Sequence, residues 1–157
     1  MIDPRGRDRD MPKYVSCYYS PKRGTDKVLI GFIDRCTKTI DAAIYCLSHD
    51  DIAQALVRAK RRGVSVRILM DKLQSSGKWS DDEMLLQEGI SLHRKGPWKS
   101  MHNKFIIGDG IAVGTGSFNW SANAEDRNAE NFVVIRLKYA VKSFQREFES
   151  LWQASHR

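Results

Sequence analysis

The sequence predicts an α/β domain whose mixed β-sheet is flanked by helices on both faces. Short apolar, β-branched runs alternate with stretches of helical periodicity along most of the chain. One strand–helix–strand unit has its turn residues in place, which implies a parallel pair joined by a right-handed crossover. Gly108-Asp109-Gly110 then joins two further apolar runs, a hairpin signal that adds an antiparallel pair. A length of 157 residues suits one domain, assigned to 13–157, and leaves little room for a second.

The elements follow in order. Residues 1–12, which include Arg5-Gly6-Arg7-Asp8-Arg9-Asp10, are too polar for a signal peptide and read as a disordered arm or a cloning remnant. Val28, Leu29, Phe32, Ile33 and Cys36 recur at helical spacing and predict a helix over 24–37. A buried strand follows over 39–47. Ser48-His49-Asp50-Asp51 supplies caps for a helix whose inner stripe is Ile52, Ala55, Leu56 and Ala59 and which ends at Gly63. Residues 64–70 form the next strand and 73–80 a polar loop. A short helix is expected from Asp81 to Gln87, then strands at 90–94, 102–107, 111–114 and 130–137. Val141, Phe144, Phe148 and Leu151 give a final helix its apolar stripe.

Composition narrows the function classes. The formal net charge is +7, with a pI near 9.5, a balance that favours polyanionic partners. No apolar run is long enough to cross a bilayer, so no stable membrane association is expected. The expected location is cytoplasmic, or periplasmic or secreted if a signal has been removed. Cys17, Cys36 and Cys46 are odd in number, widely spaced and lack a Cys-x-x-Cys pair. Reduced thiols are therefore expected, and neither a disulfide framework nor a zinc site.

The chemistry concentrates in 102–131. On an extended chain His102 and Lys104 point to one face, since side chains alternate with period two. Phe105, Ile106 and Ile107 mark that strand as buried, which would set an imidazole and an ammonium side by side in a protected place. Thr115, Ser117 and Asn119 would share a face by the same reasoning, while Gly114 and Gly116 permit close approach of a backbone or ligand. A nucleophile, a cation and neutral donors together suit phosphate.

His102-x-Lys104-x4-Asp109-x6-Gly116-Ser117-x-Asn119, with the downstream Asn128-Ala129-Glu130-Asn131, resembles the signature of the phospholipase D superfamily and of its small bacterial nucleases. The motif covers 102–131, and the order of elements is compatible over 14–154. The resemblance implies a phospholipase D-like fold and a phosphodiesterase that needs no metal and no other cofactor. His102 would be the nucleophile and form a phosphohistidine. Lys104, Ser117 and Asn119 would hold the phosphate oxygens, and Glu130 would accept from the second ring nitrogen of His102. Only one copy of the motif is present, whereas larger members carry two; a homodimer with converging His102 residues is implied. Asp109, between glycines at a hairpin tip, reads as structural and not catalytic.

The substrate is less determined. His93-Arg94-Lys95-Gly96-Pro97-Trp98-Lys99 enters the motif strand, and Arg94, Lys95, Trp98 and Lys99 could track a polymer backbone with base stacking on Trp98. The bland reading is a solvated loop with Trp98 tucked onto the domain. Trp120 either walls the pocket or belongs to the core. Nucleic acid, DNA or RNA, is the first expectation. Anionic phospholipid is the alternative, as substrate of a phospholipase or phosphatidyl transferase. A catalytically inactive nucleic-acid-binding module is the third.

Overall fold

Strand and helix alternate through the computed structural model, which describes residues 14–75 and 82–156. The expected N-terminal arm, residues 76–80 of the polar loop and Asp81 lie outside them. The elements are β1 (Val15–Tyr19), α1 (Thr25–Arg35), β2 (Thr39–Ile44), β3 (Leu47–Ser48) and α2 (Asp50–Arg61). Next come β4 (Ser65–Met70), α3 (Lys72–Ser75), α4 (Asp82–Gln87), β5 (Ser91–His93), β6 (Lys104–Gly108) and β7 (Ala112–Gly116). The chain closes with β8 (Trp120–Ser121), α5 (Ala122–Asp126), β9 (Asn131–Ile135) and α6 (Lys138–Ala154).

Seven strands form one sheet in the order β1-β9-β7-β6-β2-β4-β5, and β3 pairs β8 in a separate two-stranded sheet. β2, β4 and β5 run parallel; β6, β7, β9 and β1 continue the sheet antiparallel. The expected mixed sheet is present, and so is the parallel pair around α2.

Alternation along the strands fills both faces. Ile40, Ala42 and Ile44 of β2, Ile68 of β4 and Ile106 of β6 pack with Leu29, Ile33, Ile52 and Leu56 of α1 and α2. Ala43, Leu69, Phe105, Ile107 and Val113 point the other way, onto Val141 and Phe148 of α6. Arg67 ties α6 to the sheet. It donates to Asp41 at 2.7 and 2.9 Å and also pairs Glu149, and its guanidinium lies 4.9 Å from the Phe148 ring centroid.

Several expectations change in detail. β1 has no counterpart in the sequence reading, because its five residues at the sheet edge are mostly half-buried and too short for a clear period. The strand expected over 39–47 stops at Ile44, where Tyr45 and Cys46 leave the sheet before β3. Residues 73–75 of the expected loop belong to one helical turn, Lys72–Ser75. The three cysteines are free, and burial pushes the Cys36 thiol up to about 11. Among the described residues no helix is long and apolar enough to cross a membrane.

The hairpin after β6 is held by Asp109, as its glycine-flanked position predicts. Asp109 adopts φ 53°, and its carboxylate accepts from the main-chain N–H groups of Thr37, Lys38 and Thr39. One side chain thereby locks the β6–β7 turn onto the start of β2. A second carboxylate caps α1. Glu125, 7% exposed, accepts from the N–H groups of Gly24, Thr25 and Asp26 at 2.8, 3.0 and 3.3 Å, where the helix dipole favours an anion. Its distance in sequence from α1 hid this cap.

Candidate active site

Five adjacent strands, β9, β7, β6, β2 and β4, begin or end at one rim of the sheet, and the chemistry is there. Ile44 at the end of β2 pairs Lys104 at the start of β6, and Gly116 at the end of β7 pairs Phe132 near the start of β9. Asp71 follows β4, the parallel neighbour of β2, so it reaches the same rim. The ends of parallel strands are where α/β sheets present binding groups.

His102 and Lys104 do come together, although not as a buried strand would arrange them. β6 begins only at Lys104; His102 precedes it in irregular chain and is exposed, while Lys104 is half-buried. The protected setting expected from Phe105, Ile106 and Ile107 begins at Phe105, three residues after His102, and does not cover the imidazole. Lys104 Nζ lies 3.5 Å from His102 Nδ1 and donates to the His102 carbonyl at 3.0 Å. Burial pushes the Lys104 ammonium below the usual lysine range, and the charge of Glu130 opposes this. A half-desolvated cation beside an imidazole is a phosphate-binding arrangement.

The Gly116–Asn119 segment is not an extension of β7. After Gly116 the chain wraps the Asn131 carbonyl, which accepts from the N–H groups of Ser117 and Phe118 at 3.1 and 3.2 Å. Gly116 sits at φ 152°, and a Cβ there would meet the Asn131 oxygen at 2.3 Å, so the close approach read from the sequence is to backbone. Ser117 Oγ accepts from the Asn131 main-chain N–H at 3.1 Å; the hydroxyl serves the turn. Asn119 is half-buried, and its Oδ1 has no partner among the described residues. A buried polar atom without a partner is uncommon; this oxygen is an acceptor and would need a donor, while only the Asn119 amide nitrogen could donate to a phosphate oxygen.

Glu130 acts on Lys104 through charge, and its carboxylate accepts from Asn128 Nδ2 at 3.2 Å. The expected contact to the second ring nitrogen of His102 is not formed, because Lys104 occupies the Nδ1 side.

The expected substrate residues divide. Lys95 and Lys99 are exposed and line a cleft of about 420 Å³ with Asp71, Leu73, Arg94 and Trp98. Arg94 commits its guanidinium to Asp82 and Glu83. Trp98 folds over Gly96, where a Cβ would lie 2.2 Å from the indole, and packs on the α6-side core. That is the bland reading of Trp98, and as placed its ring is not an open stacking platform. Trp120 is 1% exposed within the α1–α2 core and does not wall the pocket. Its N–H bonds the Cys46 carbonyl at 3.0 Å, which sets Asn119 beside the β2 exit.

Sequence reasoning missed two residues. The Tyr45 ring centroid lies 4.5 Å from that of His102 and 5.2 Å from Lys104 Nζ, giving the cation an aromatic face. Asp71, 5% exposed, accepts from the Met101 N–H at 2.9 Å, immediately before His102. Both lie just past the apolar runs of adjacent parallel strands, a positional signal that could have marked them. Among the described residues, no cluster of three or more His, Cys, Asp and Glu side chains could hold a metal ion.

Comparison with known proteins agrees with this geometry. Residues 29–152 match the family described as cardiolipin synthase, PLD-like domain. A mitochondrial cardiolipin hydrolase of Chlamydomonas reinhardtii is 32% identical over 89% of the chain, and a phospholipase D of Rickettsia felis is 37% identical over 83%. The chain spans 63% and 65% of those two proteins, just under two-thirds of each. Nuc of Salmonella typhimurium, a phospholipase D family member, superposes with a TM-score of 0.84 at 34% identity, covering 89% of this chain and 94% of Nuc. NucT of Helicobacter pylori shares the fold at the same TM-score and 24% identity, covering 89% and 96%. With its histidine–lysine pair at the sheet rim, the chain belongs to the phospholipase D superfamily.

Proposed function

We propose that this protein is a metal-independent phosphodiesterase that hydrolyses nucleic acid through a covalent phosphohistidine, at a site shared by two copies of the chain. The observation that carries the proposal is the His102–Lys104 pair, in contact with each other yet open to solvent on the imidazole side. An attacking group so exposed has room for a second motif to face it across the phosphate. The net charge of +7 and the exposed Lys95 and Lys99 favour a polyanion that extends beyond one phosphate.

In this reading the incoming phosphate draws Lys104 from the His102 carbonyl onto its equatorial oxygens, where Asn119 adds a neutral donor. His102 of one copy attacks phosphorus through its outward ring nitrogen, forming the P–N bond as the P–O bond breaks. His102 of the second copy protonates the departing oxygen, then takes a proton from the water that cleaves the P–N bond. Glu130, freed of competition from Lys104, accepts from Nδ1 and fixes the tautomer. Two identical imidazoles so close hold different protonation states, because charging one disfavours charging the other.

Phospholipid is the second reading, favoured by relatives named cardiolipin hydrolase and phospholipase D. One experiment separates the two. The protein is incubated in EDTA with single- and double-stranded DNA, RNA, and vesicles containing cardiolipin. Cleavage of nucleic acid is expected; cleavage of lipid alone would transfer the reading to the second substrate. A strict magnesium requirement would overturn the metal-free chemistry, and a fully active monomer in sedimentation would overturn the shared site.

A further inference from the structure

Asp71 is a buried carboxylate at the reactive rim, and its two oxygens face two different segments. Oδ2 accepts from Ser100 Oγ at 3.0 Å and from the Met101 N–H at 2.9 Å, gripping the chain that runs into His102 from behind. Oδ1 accepts from the N–H groups of Leu73 and Gln74 at 3.0 and 3.3 Å, which holds the turn α3. From α3, Gln74 Nε2 donates to the Tyr45 hydroxyl at 3.2 Å. The Tyr45 ring then lies against the His102 imidazole and near the Lys104 ammonium.

We propose that Asp71 is the positioning residue of this site: its carboxylate fixes the His102 main chain directly and the His102 ring through Gln74 and Tyr45. The physical need follows from the setting. His102 lies outside β6 and is exposed, so neither a strand ladder nor core packing fixes its ring. An imidazole in irregular chain samples several rotamers, and attack at phosphorus demands one. Two restraints from a single rigid anchor at the end of β4 meet that demand. Tyr45 adds a flat wall, and its hydroxyl is anchored so that the wall keeps one orientation. Burial alone would raise the pKa of Asp71; its four hydrogen bonds outweigh burial and keep it ionised.

This inference rests on the phosphodiesterase reading for its kinetic arm only. Three variants separate the paths: Asp71→Asn weakens both, Gln74→Leu cuts the path to Tyr45, and Tyr45→Phe removes only the hydroxyl. Turnover of the chromogenic phosphodiester bis(p-nitrophenyl) phosphate is measured beside the ring resonances of His102 in histidine-labelled protein, assigned by loss of signal in His102→Gln. Asp71→Asn should lower kcat by about 10- to 100-fold with KM changed by less than about threefold. Gln74→Leu and Tyr45→Phe should each lower kcat by a smaller factor, and all three should shift the His102 ring signals away from the wild-type ring-current position. Gln74 is only half-buried, so Gln74→Leu keeps the test decisive if Asp71→Asn fails to fold. Unmoved His102 signals in a folded Gln74→Leu protein would overturn the proposal. If the wild type cleaves no phosphodiester, the functional reading fails while the resonances still decide the positioning role.

Discussion

Replacing Asp109 separates a fold role from a chemical one, because the aspartate belongs to the motif yet stands about 16 Å from Lys104, five residues along a strand rising ~3.3 Å each. Its carboxylate accepts from Thr37 N and Thr37 Oγ1 on one oxygen and from Lys38 N and Thr39 N on the other. Asp109→Asn keeps one acceptor oxygen and turns an NH2 toward the remaining donors, so about half of the bonding is lost. At roughly 1 kcal/mol for each bond in this half-exposed place, the loss is about 2 kcal/mol. Asp109→Ala loses all four bonds and adds about 1 kcal/mol of backbone strain at φ 53°, for about 5 kcal/mol in total. A domain of this size shifts by about 2–4 °C per kcal/mol, so Tm should fall by roughly 4–8 °C for Asn and 10–20 °C for Ala. Hydrogen bonding outweighs burial and holds the Asp109 pKa below its ordinary value. The stabilisation is thus complete above the unfolded pKa near 4 and is lost as pH falls through the folded one; the Tm gap between wild type and Asn should close below about pH 4. Calorimetry across pH, with turnover measured where every variant is folded, tests this. An Asp109→Asn protein with wild-type Tm and turnover reduced tenfold or more would refute the structural assignment.

Three further outcomes are expected. Activity should decline on the alkaline side at a pH below the ordinary lysine value near 10.4, as Lys104 loses its proton; Glu130→Gln should move that limb lower still, and a limb at or above 10.4 in a pH–rate profile would contradict the desolvated cation. Glu125→Gln should cost about 2–3 kcal/mol and lower Tm by roughly 5–10 °C, since three N–H groups at the α1 terminus lose a charged acceptor; an unchanged melting curve would remove the cap from the account. Gly114→Ala should destabilise by about 1–3 kcal/mol in denaturant titration, because its Cβ would come within 2.4 Å of the Phe132 ring, and a neutral result would show that the ring yields freely.

What could be read in advance was what depends on local pattern. The apolar stripe of α2 was correct because Ile52, Ala55, Leu56 and Ala59 must face one way at 3.6 residues per turn. The hairpin at Asp109 was correct because glycine and aspartate carry their turn chemistry with them. The burial of Ile106 and Ile107 was correct too, but carrying it back to His102 was not, since period-two reasoning cannot tell where a ladder begins. The run from Thr115 to Asn119 failed for a related reason: the Asn131 carbonyl, distant in sequence, captures two N–H groups and ends the strand. Trp120 and Trp98 show the limit of reading aromatics next to a motif, since burial area draws them inward unless something prevents it. Tyr45 and Asp71 carry no motif of their own, and only the adjacency of β2, β4 and β6 brings them to His102.

The antiparallel register of β1 has a practical consequence. Val15 pairs Ile135 and Tyr19 pairs Asn131, so the polypeptide enters the sheet at the pole opposite the histidine and finishes that first strand beside it. A fluorophore, bead or surface linked upstream of Val15 would therefore leave the reactive pole pointing into bulk solution. Immobilised protein should keep its access to long polymers, and a load pulling on that end would peel an outer strand before it disturbed the imidazole.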